Sequence, residues 1–121
     1  MDLYQQNILD HYHHPKHKGK LPVADRHNEA ANTLCGDKVE LWIKIDNEKI
    51  TTVGWDGEGC VLTQAACSLL CEKLINKSIT EATTLDPQFM QQLVAVPLGP
   101  TRLRCALLPL EVLQKALKEG R

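Results

Sequence analysis

The sequence predicts a chain of the α+β class, because one segment has the alternation of a strand and others have the composition of helices. From residue 38 to residue 45, apolar and polar side chains alternate, which is typical of a strand with one buried face. Residues 61–75 lack glycine and proline and are rich in leucine and alanine, which favours a helix. Residues 3–12 have apolar side chains at helical spacing, and Pro15 limits that amphipathic helix.

An antiparallel hairpin is the predicted centre of the sheet. Turn residues at 46–48 follow its first strand. Its second strand is expected from about Lys49 to Trp55, where the glycine-rich residues 56–59 end it. The basic, histidine-rich residues 13–20 are expected to form an ordered surface loop, and an edge strand is expected near residues 28–32.

Three more helices are expected towards the end of the chain. Residues 80–85 and 87–94 predict two short helices, the second with Asp86 as its cap and Pro87 at its first position. The last helix carries apolar residues at 110, 113, 116 and 117, and Pro109 is expected in its first turn, where proline is tolerated. This assignment places Cys105 just ahead of a helix.

Length and charge indicate one globular domain, residues 1–121, in the cytoplasm. The formal net charge is −1 and 43% of the residues are hydrophobic, so we expect a buried core and no nucleic-acid partner. The first residues carry acids and glutamines where a secretory signal has a basic end and an apolar core. No apolar run approaches the length that spans a bilayer, so no membrane association is expected.

The cysteines are the main candidates for chemistry. There are 5 of them, an odd number that cannot pair completely within one chain: Cys35, Cys60, Cys67, Cys71 and Cys105. In a reducing compartment such residues are better interpreted as thiols or metal ligands.

Three of these cysteines lie at predicted junctions between loops and other elements. Cys35 precedes the first strand of the hairpin, and Cys60 and Cys105 each precede a predicted helix, where backbone N–H groups stabilise thiolate. Asp37 adds a carboxylate close to Cys35. Three thiolates and one harder, weaker ligand suit zinc or an iron–sulfur cluster and would make the site easier to open.

Other interpretations of the same residues stay open at this point. Any single cysteine can be a small buried hydrophobe. Cys67 and Cys71 are neighbours at i and i+4 and could share an ion, although the apolar stripe beside them favours a structural role. Imidazoles can also bind metal, but a solvated basic loop is the preferred interpretation of the histidine tract. That tract comprises His11, His13, His14 and His17.

Four motifs, taken in order, resemble one known family. They are LYQQNILDHYHHPKHKGKL at residues 3–21, NTLCGD at 32–37, GEGCVLTQAACS at 57–68 and RLRCALLPLEVLQKAL at 102–117. Together they cover nearly the whole chain and resemble the iron–sulfur cluster assembly scaffolds of the IscU and SufU type, also found as the N-terminal domain of NifU.

This resemblance implies a fold and a ligand set. The fold is a small antiparallel sheet covered on one side by helices. The three scaffold cysteines correspond to Cys35, Cys60 and Cys105, and Asp37 takes the place of the family's aspartate, as a labile ligand or a gate. Gly36 would allow the turn of the first loop.

The sequence departs from the family pattern at three places. Thr33 stands where proline is usual, and Arg104 stands where IscU-type members have a histidine. VPLGPTRL at residues 96–103 replaces the chaperone-recognition motif of IscU, so dependence on a dedicated Hsp70-type chaperone is not predicted. Arg104 resembles SufU, but the additional segment that SufU carries ahead of the third cysteine is absent from this sequence.

Two functions follow from the resemblance, and a third from the cysteines alone. The leading one is a scaffold that assembles a [2Fe-2S] cluster from iron and sulfur supplied by a cysteine desulfurase, and passes it to acceptor apo-iron–sulfur proteins. The alternative is a zinc-dependent sulfurtransferase in which Cys105 accepts persulfide sulfur, with Arg104 favouring its thiolate. The third is a structural zinc module or an adaptor whose cysteines fill the core. Whether the chain is an enzyme depends on which of these holds.

Overall fold

A computed structural model describes residues 3–33 and 36–119. They form an α+β fold of three strands and five helices. The elements are α1 Leu3–His13, β1 Arg26–Asn32, β2 Asp37–Asp46, β3 Lys49–Glu58, α2 Val61–Leu74, α3 Ile79–Thr83, α4 Pro87–Val94 and α5 Pro100–Glu119.

The three strands form one antiparallel sheet in the order β1-β2-β3. Leu41 in the middle strand pairs with Asn28 on one side and with Trp55 on the other. Asn47 and Glu48 make the turn between β2 and β3 with φ of 51° and 62°, so the predicted hairpin is confirmed. The predicted edge strand is also present, as β1.

The core lies between one face of the sheet and the two long helices. Both α2 and α5 contact strands of the sheet and each other. The completely buried side chains of this layer include Val39, Ile43, Leu70, Leu74 and Leu113. Each side chain of this size contributes about 1.5–3 kcal/mol when it leaves water, so packing of α2 and α5 on the sheet is the main source of stability.

The predicted bounds of α2 and α4 agree with the structure to within one residue. α4 begins at Pro87, and the Asp86 side chain caps it by accepting a hydrogen bond from the Phe89 N–H at 2.9 Å. α1 is also present, but of its residues only Ile8 is buried, while Leu3 and Tyr4 are 80% and 57% exposed. Within residues 3–33 and 36–119, no helix combines the length and hydrophobicity that a bilayer crossing requires.

The segment after α1 is held against β3 rather than projecting into solvent. Gly19 donates its N–H to the Trp55 carbonyl at 2.7 Å, and the Trp55 indole N–H donates to the Lys16 carbonyl at 2.8 Å. The Trp55 N–H donates to the His17 carbonyl at 3.2 Å. The expected ordered loop is therefore fastened to the sheet by both the backbone and the side chain of Trp55.

Two predicted boundaries are wrong. β3 does not stop at Trp55 but continues to Glu58, and Gly57 pairs with Val39. The glycine that suggested a strand end serves close packing instead, because a Cβ at Gly57 would lie 2.8 Å from the Lys38 carbonyl oxygen.

The second wrong boundary is the start of the last helix. α5 begins at Pro100, so Pro109 lies inside it and Cys105 is in its second turn rather than ahead of it. An interior proline costs about 3 kcal/mol, since Pro109 has no N–H for the carbonyl of Cys105 four residues earlier. Burial of the side chains on both sides of Pro109 offsets this cost, among them Ala106, Leu108, Leu110 and Val112.

Gly54 is expected to be intolerant of a side chain. A Cβ there would collide with the backbone carbonyl oxygen of Gly19. Gly19 is held in place because its N–H donates a hydrogen bond to the Trp55 carbonyl. We expect Gly54→Ala to lower the free energy of unfolding by about 1–3 kcal/mol, measured by urea titration. Gly99→Ala is the matched control, because nothing lies within 4 Å of a Cβ at that position. An equal loss in the two variants would contradict the expectation.

Candidate thiol and carboxylate site

Three elements that are distant in the sequence bring one carboxylate and two thiols together. Asp37 opens β2, Cys60 precedes α2 as its cap, and Cys105 projects from α5. One ligand atom from each of the three side chains lies within 4.8 Å of the others. Among the described residues, no other group of three or more histidine, cysteine, aspartate or glutamate side chains is this compact.

The Asp37 carboxylate is buried and held at both oxygens. Only 1% of the residue is exposed. Oδ1 accepts a hydrogen bond from the Cys60 backbone N–H at 3.0 Å, and Oδ2 accepts one from the Thr63 hydroxyl at 2.9 Å. These two donors offset the cost of burying a carboxylate, so the side chain is fixed in orientation.

Gly59 makes this close approach possible. Its φ of 122° lies in the region that residues with side chains rarely adopt, and a Cβ there would lie 2.9 Å from the Asp37 Cα atom and 2.8 Å from its Cγ atom. A glycine is therefore needed both for the backbone turn into α2 and for contact with Asp37.

Cys60 is the exposed thiol of the site. Its sulfur caps α2 by accepting from the Thr63 N–H at 3.4 Å, and it lies 3.2 Å from the Thr63 hydroxyl oxygen and 4.0 Å from Asp37 Oδ2. The predicted position of Cys60 at a helix N-terminus is confirmed. The third interpretation of the cysteines, in which all of them fill the core, does not fit this exposure.

Cys105 is the buried thiol, with 4% of the residue exposed. Burial raises its pKa to about 12, and contacts with Asp37 and Cys60 contribute in the same direction. The expectation that Cys105 sits at a helix N-terminus that favours thiolate is therefore wrong. Arg104, the predicted activating cation, lines a separate cleft with Asn32 and Glu111.

Cys35, the remaining member of the predicted ligand set, lies outside the described residues. Its neighbour Gly36 has φ of 70°, in the left-handed region, as expected for a glycine that turns the loop into β2.

The other candidate ligands have different roles. Cys67 and Cys71 are buried in the core, and burial raises the pKa of both thiols. In the histidine tract, His11 Nδ1 lies 2.7 Å from the Ser68 hydroxyl and Nε2 lies 3.9 Å from a Glu72 carboxylate oxygen, which ties α1 to α2. The burial of Cys67 and Cys71 agrees with the structural role preferred for them. His11 differs from the expected solvated loop, because it lies in α1 with only 11% of its side chain exposed, whereas His13, His14 and His17 are exposed as expected.

An apolar groove opens beside the two thiols. It has a volume of about 860 Å³ and runs between α1, the start of α2 and the loop before α5. Its walls include Leu9, Val61, Leu62, Val96 and Leu98, and Cys60 and Cys105 also line it.

Sequence reasoning did not identify Thr63 as part of the site. This residue is fully buried and contacts both Asp37 and Cys60. The available signal was its spacing, because a residue three positions after a helix cap lies above the cap on the same face of the helix. That signal indicates a contact with Cys60 but not the contact with Asp37, which comes from another part of the chain.

The family model of the NifU-like N-terminal domain matches residues 3–120. The chain belongs to this family. The resemblance noted from the four motifs is confirmed, and so is the α+β scaffold fold that it implied.

Curated relatives within this family carry two different descriptions. The zinc-dependent sulfurtransferase SufU of Bacillus subtilis (strain 168) is 30% identical, over 98% of this chain and 92% of that protein. The iron–sulfur cluster assembly scaffold protein IscU of Thermotoga maritima is 29% identical, over 97% of this chain and 94% of that protein. The two identities are too similar to favour either description.

Solved structures of family members have the same architecture. A protein described as an iron–sulfur cluster assembly scaffold for the SUF system, from Fervidobacterium islandicum AW-1, matches with a TM-score of 0.82 and 29% identity, over 93% of this chain and 94% of that one. The N-terminal part of a NifU-like protein from Brucella abortus matches with a TM-score of 0.77, over 97% of this chain and 93% of that one. Its 19% identity supports the fold alone.

Proposed function

We propose that this protein is a scaffold on which a [2Fe-2S] cluster is assembled from iron and desulfurase-derived sulfur, and from which it passes to acceptor apoproteins. The observation that carries the proposal is the convergence of Asp37, Cys60 and Cys105 within 4.8 Å in a chain of this family. Cys35 is the proposed third thiolate, since it lies two residues before Asp37 in the sequence.

The donor set suits a cargo that has to be held and then released. Thiolates are the usual ligands of iron–sulfur clusters, whereas a carboxylate is a harder and weaker partner for the same irons. Asp37 therefore supplies the bond that breaks most readily. Cys60, which is exposed and lines the groove, is accessible to the partner that brings sulfur and to the partner that removes the cluster.

The sulfur donor is proposed to be a cysteine desulfurase. Its persulfide would be attacked by a thiolate of this chain, which takes the outer sulfur and leaves the desulfurase cysteine as a thiolate. Cys105 is the residue predicted to accept this sulfur. In the metal-free chain Cys60 is the more exposed of the two thiols, so mass spectrometry of the persulfide in Cys60→Ser and Cys105→Ser variants is needed to locate it.

A second candidate function is a zinc-dependent sulfurtransferase. The observation that favours it is the Bacillus subtilis relative, which is described in those words. The residues present fit a zinc ion, because thiol sulfurs and a carboxylate oxygen at mutual distances below 4.8 Å are ordinary ligands of tetrahedral zinc. When bound, zinc would hold the thiols as thiolates. Asp37, Cys60 and Cys105, with Cys35, would hold it.

Anaerobic reconstitution distinguishes the two functions. The protein is mixed with ferrous iron, a cysteine desulfurase and excess cysteine, which is both the sulfur source and the thiol that reduces persulfide sulfur to sulfide while it is oxidised to cystine. Sulfide-to-iron charge transfer is then followed by absorption. Apo-ferredoxin is then added as the acceptor. A cluster that forms and moves to the ferredoxin is the expected result. No cluster, together with stoichiometric zinc in protein purified without added metal and a persulfide on one thiol, would instead establish the sulfurtransferase.

A further inference from the structure

Thr63 is not one of the proposed metal or cluster ligands, but its side chain contacts two of them. It is fully buried in the first turn of α2, and its hydroxyl oxygen lies 2.9 Å from Asp37 Oδ2 and 3.2 Å from Cys60 Sγ. A threonine hydroxyl in a helix commonly turns back to a carbonyl of the preceding turn. Here the nearby Gly59 carbonyl accepts from the Gln64 side chain instead, at 3.1 Å, and Thr63 points across to another element.

The contact with Asp37 is suited to orienting a ligand. A carboxylate has about four lone-pair sites on its two oxygens, so Oδ2 can accept from Thr63 and still face a cation. Oδ1 is already held by the Cys60 N–H. The backbone of Cys60, the cap of α2, therefore aligns one oxygen and the Thr63 side chain aligns the other, so that Oδ2 is kept 4.0 Å from Cys60 Sγ.

We propose that Thr63 is a positioning residue of the site: its hydroxyl holds the Asp37 carboxylate towards the two sulfurs and thereby strengthens the binding of a soft divalent cation. The inference rests on the ligand role of Asp37, Cys60 and Cys105 in the proposed function. Partners that orient a ligand through a hydrogen bond typically contribute about 10–100-fold to metal affinity.

Co²⁺ is the probe for the test, because Co²⁺ bound by thiolates has near-ultraviolet charge-transfer bands and visible ligand-field bands. The full chain is titrated anaerobically with Co²⁺ alone, without a desulfurase. We expect Thr63→Val, which keeps the shape and removes the hydroxyl, to weaken Co²⁺ binding about 10-fold and to give a spectrum like that of Asp37→Ala. Thr63→Ser retains the hydroxyl and is expected to restore the parent affinity and spectrum.

A double-mutant cycle separates positioning from general damage to the fold. If Thr63 acts through Asp37, its substitution to valine has little further effect on Co²⁺ affinity in the Asp37→Ala background. Ser68→Ala is the matched control, because it removes another fully buried hydroxyl from α2, one that contacts His11 and the Lys16 N–H instead. It is expected to lower stability and leave Co²⁺ affinity unchanged.

The outcomes that overturn the inference are distinct. The inference is overturned if Thr63→Val binds Co²⁺ as tightly as the parent chain. It is also overturned if Thr63→Val weakens Co²⁺ binding as much in the Asp37→Ala background as in the parent, or if Thr63→Ser weakens it as much as Thr63→Val. If circular dichroism shows that Thr63→Val is unfolded, Thr63→Ala is compared with Thr63→Ser by the same criteria. A parent chain that binds no Co²⁺ overturns the inference and the proposed site together. If the parent chain assembles no cluster, but Thr63→Val binds Co²⁺ more weakly than the parent does, only the scaffold function is overturned.

Discussion

Cys60→Ser and Cys105→Ser are each expected to abolish cluster assembly, leaving the absorption of the reconstitution mixture no higher than that of the same mixture without this protein. A serine oxygen is a harder donor than a thiolate and is ordinarily protonated, so it does not replace sulfur as a ligand of iron–sulfur clusters. The measurement is the charge-transfer absorption after anaerobic reconstitution, together with the iron and sulfide content of the isolated protein.

Cys71→Ala is the control for these two substitutions. Its sulfur is buried like that of Cys105, but it lies in the core and outside the group formed by Asp37, Cys60 and Cys105. We expect this variant to lose some stability through a small cavity and to assemble the cluster as the parent does. Full assembly in Cys60→Ser or Cys105→Ser, or its loss in Cys71→Ala, would count against the ligand assignment.

Gly59→Ala is expected to have the largest effect on stability among the glycine substitutions in the site. Alanine at φ of 122° is strained, and its Cβ would displace the backbone and carboxylate of Asp37. We expect the free energy of unfolding to fall by about 2–4 kcal/mol, and Co²⁺ binding to weaken because Asp37 moves away from Cys60. Urea titration and Co²⁺ titration measure the two effects separately.

Gly19→Ala isolates the part of this effect that is due to backbone strain, and the difference between the two variants gives the part that is due to the collision. Gly19 has a similar φ of 132°, but nothing lies within 4 Å of a Cβ at that position. It therefore carries the backbone strain alone, and a smaller loss of stability with unchanged Co²⁺ affinity is expected. If both variants lower the free energy of unfolding equally and both bind Co²⁺ as the parent does, the close contact between Gly59 and Asp37 contributes neither to stability nor to metal binding.

The helix that carries Cys105 differs most from its prediction. Pro109 predicted that the last helix begins there, because proline is a strong local signal against a helix interior. The helix nevertheless begins at Pro100, since burial of its apolar side chains against α2 and the sheet exceeds the local cost. The same burial raises the pKa of Cys105, which reverses the expectation of an activated thiolate.

Local sequence determined the antiparallel hairpin, the central helix with Cys60 at its start and the capped helix at Pro87, because each depends on periodicity, turn residues or caps within a few positions. The four motifs likewise determined the family. Tertiary structure alone decided that Asp37 is buried, that Thr63 reaches it and that Cys105 is the enclosed thiol. These properties depend on contacts between residues far apart in the chain, and such contacts leave no local pattern because they arise only when the helices pack on the sheet.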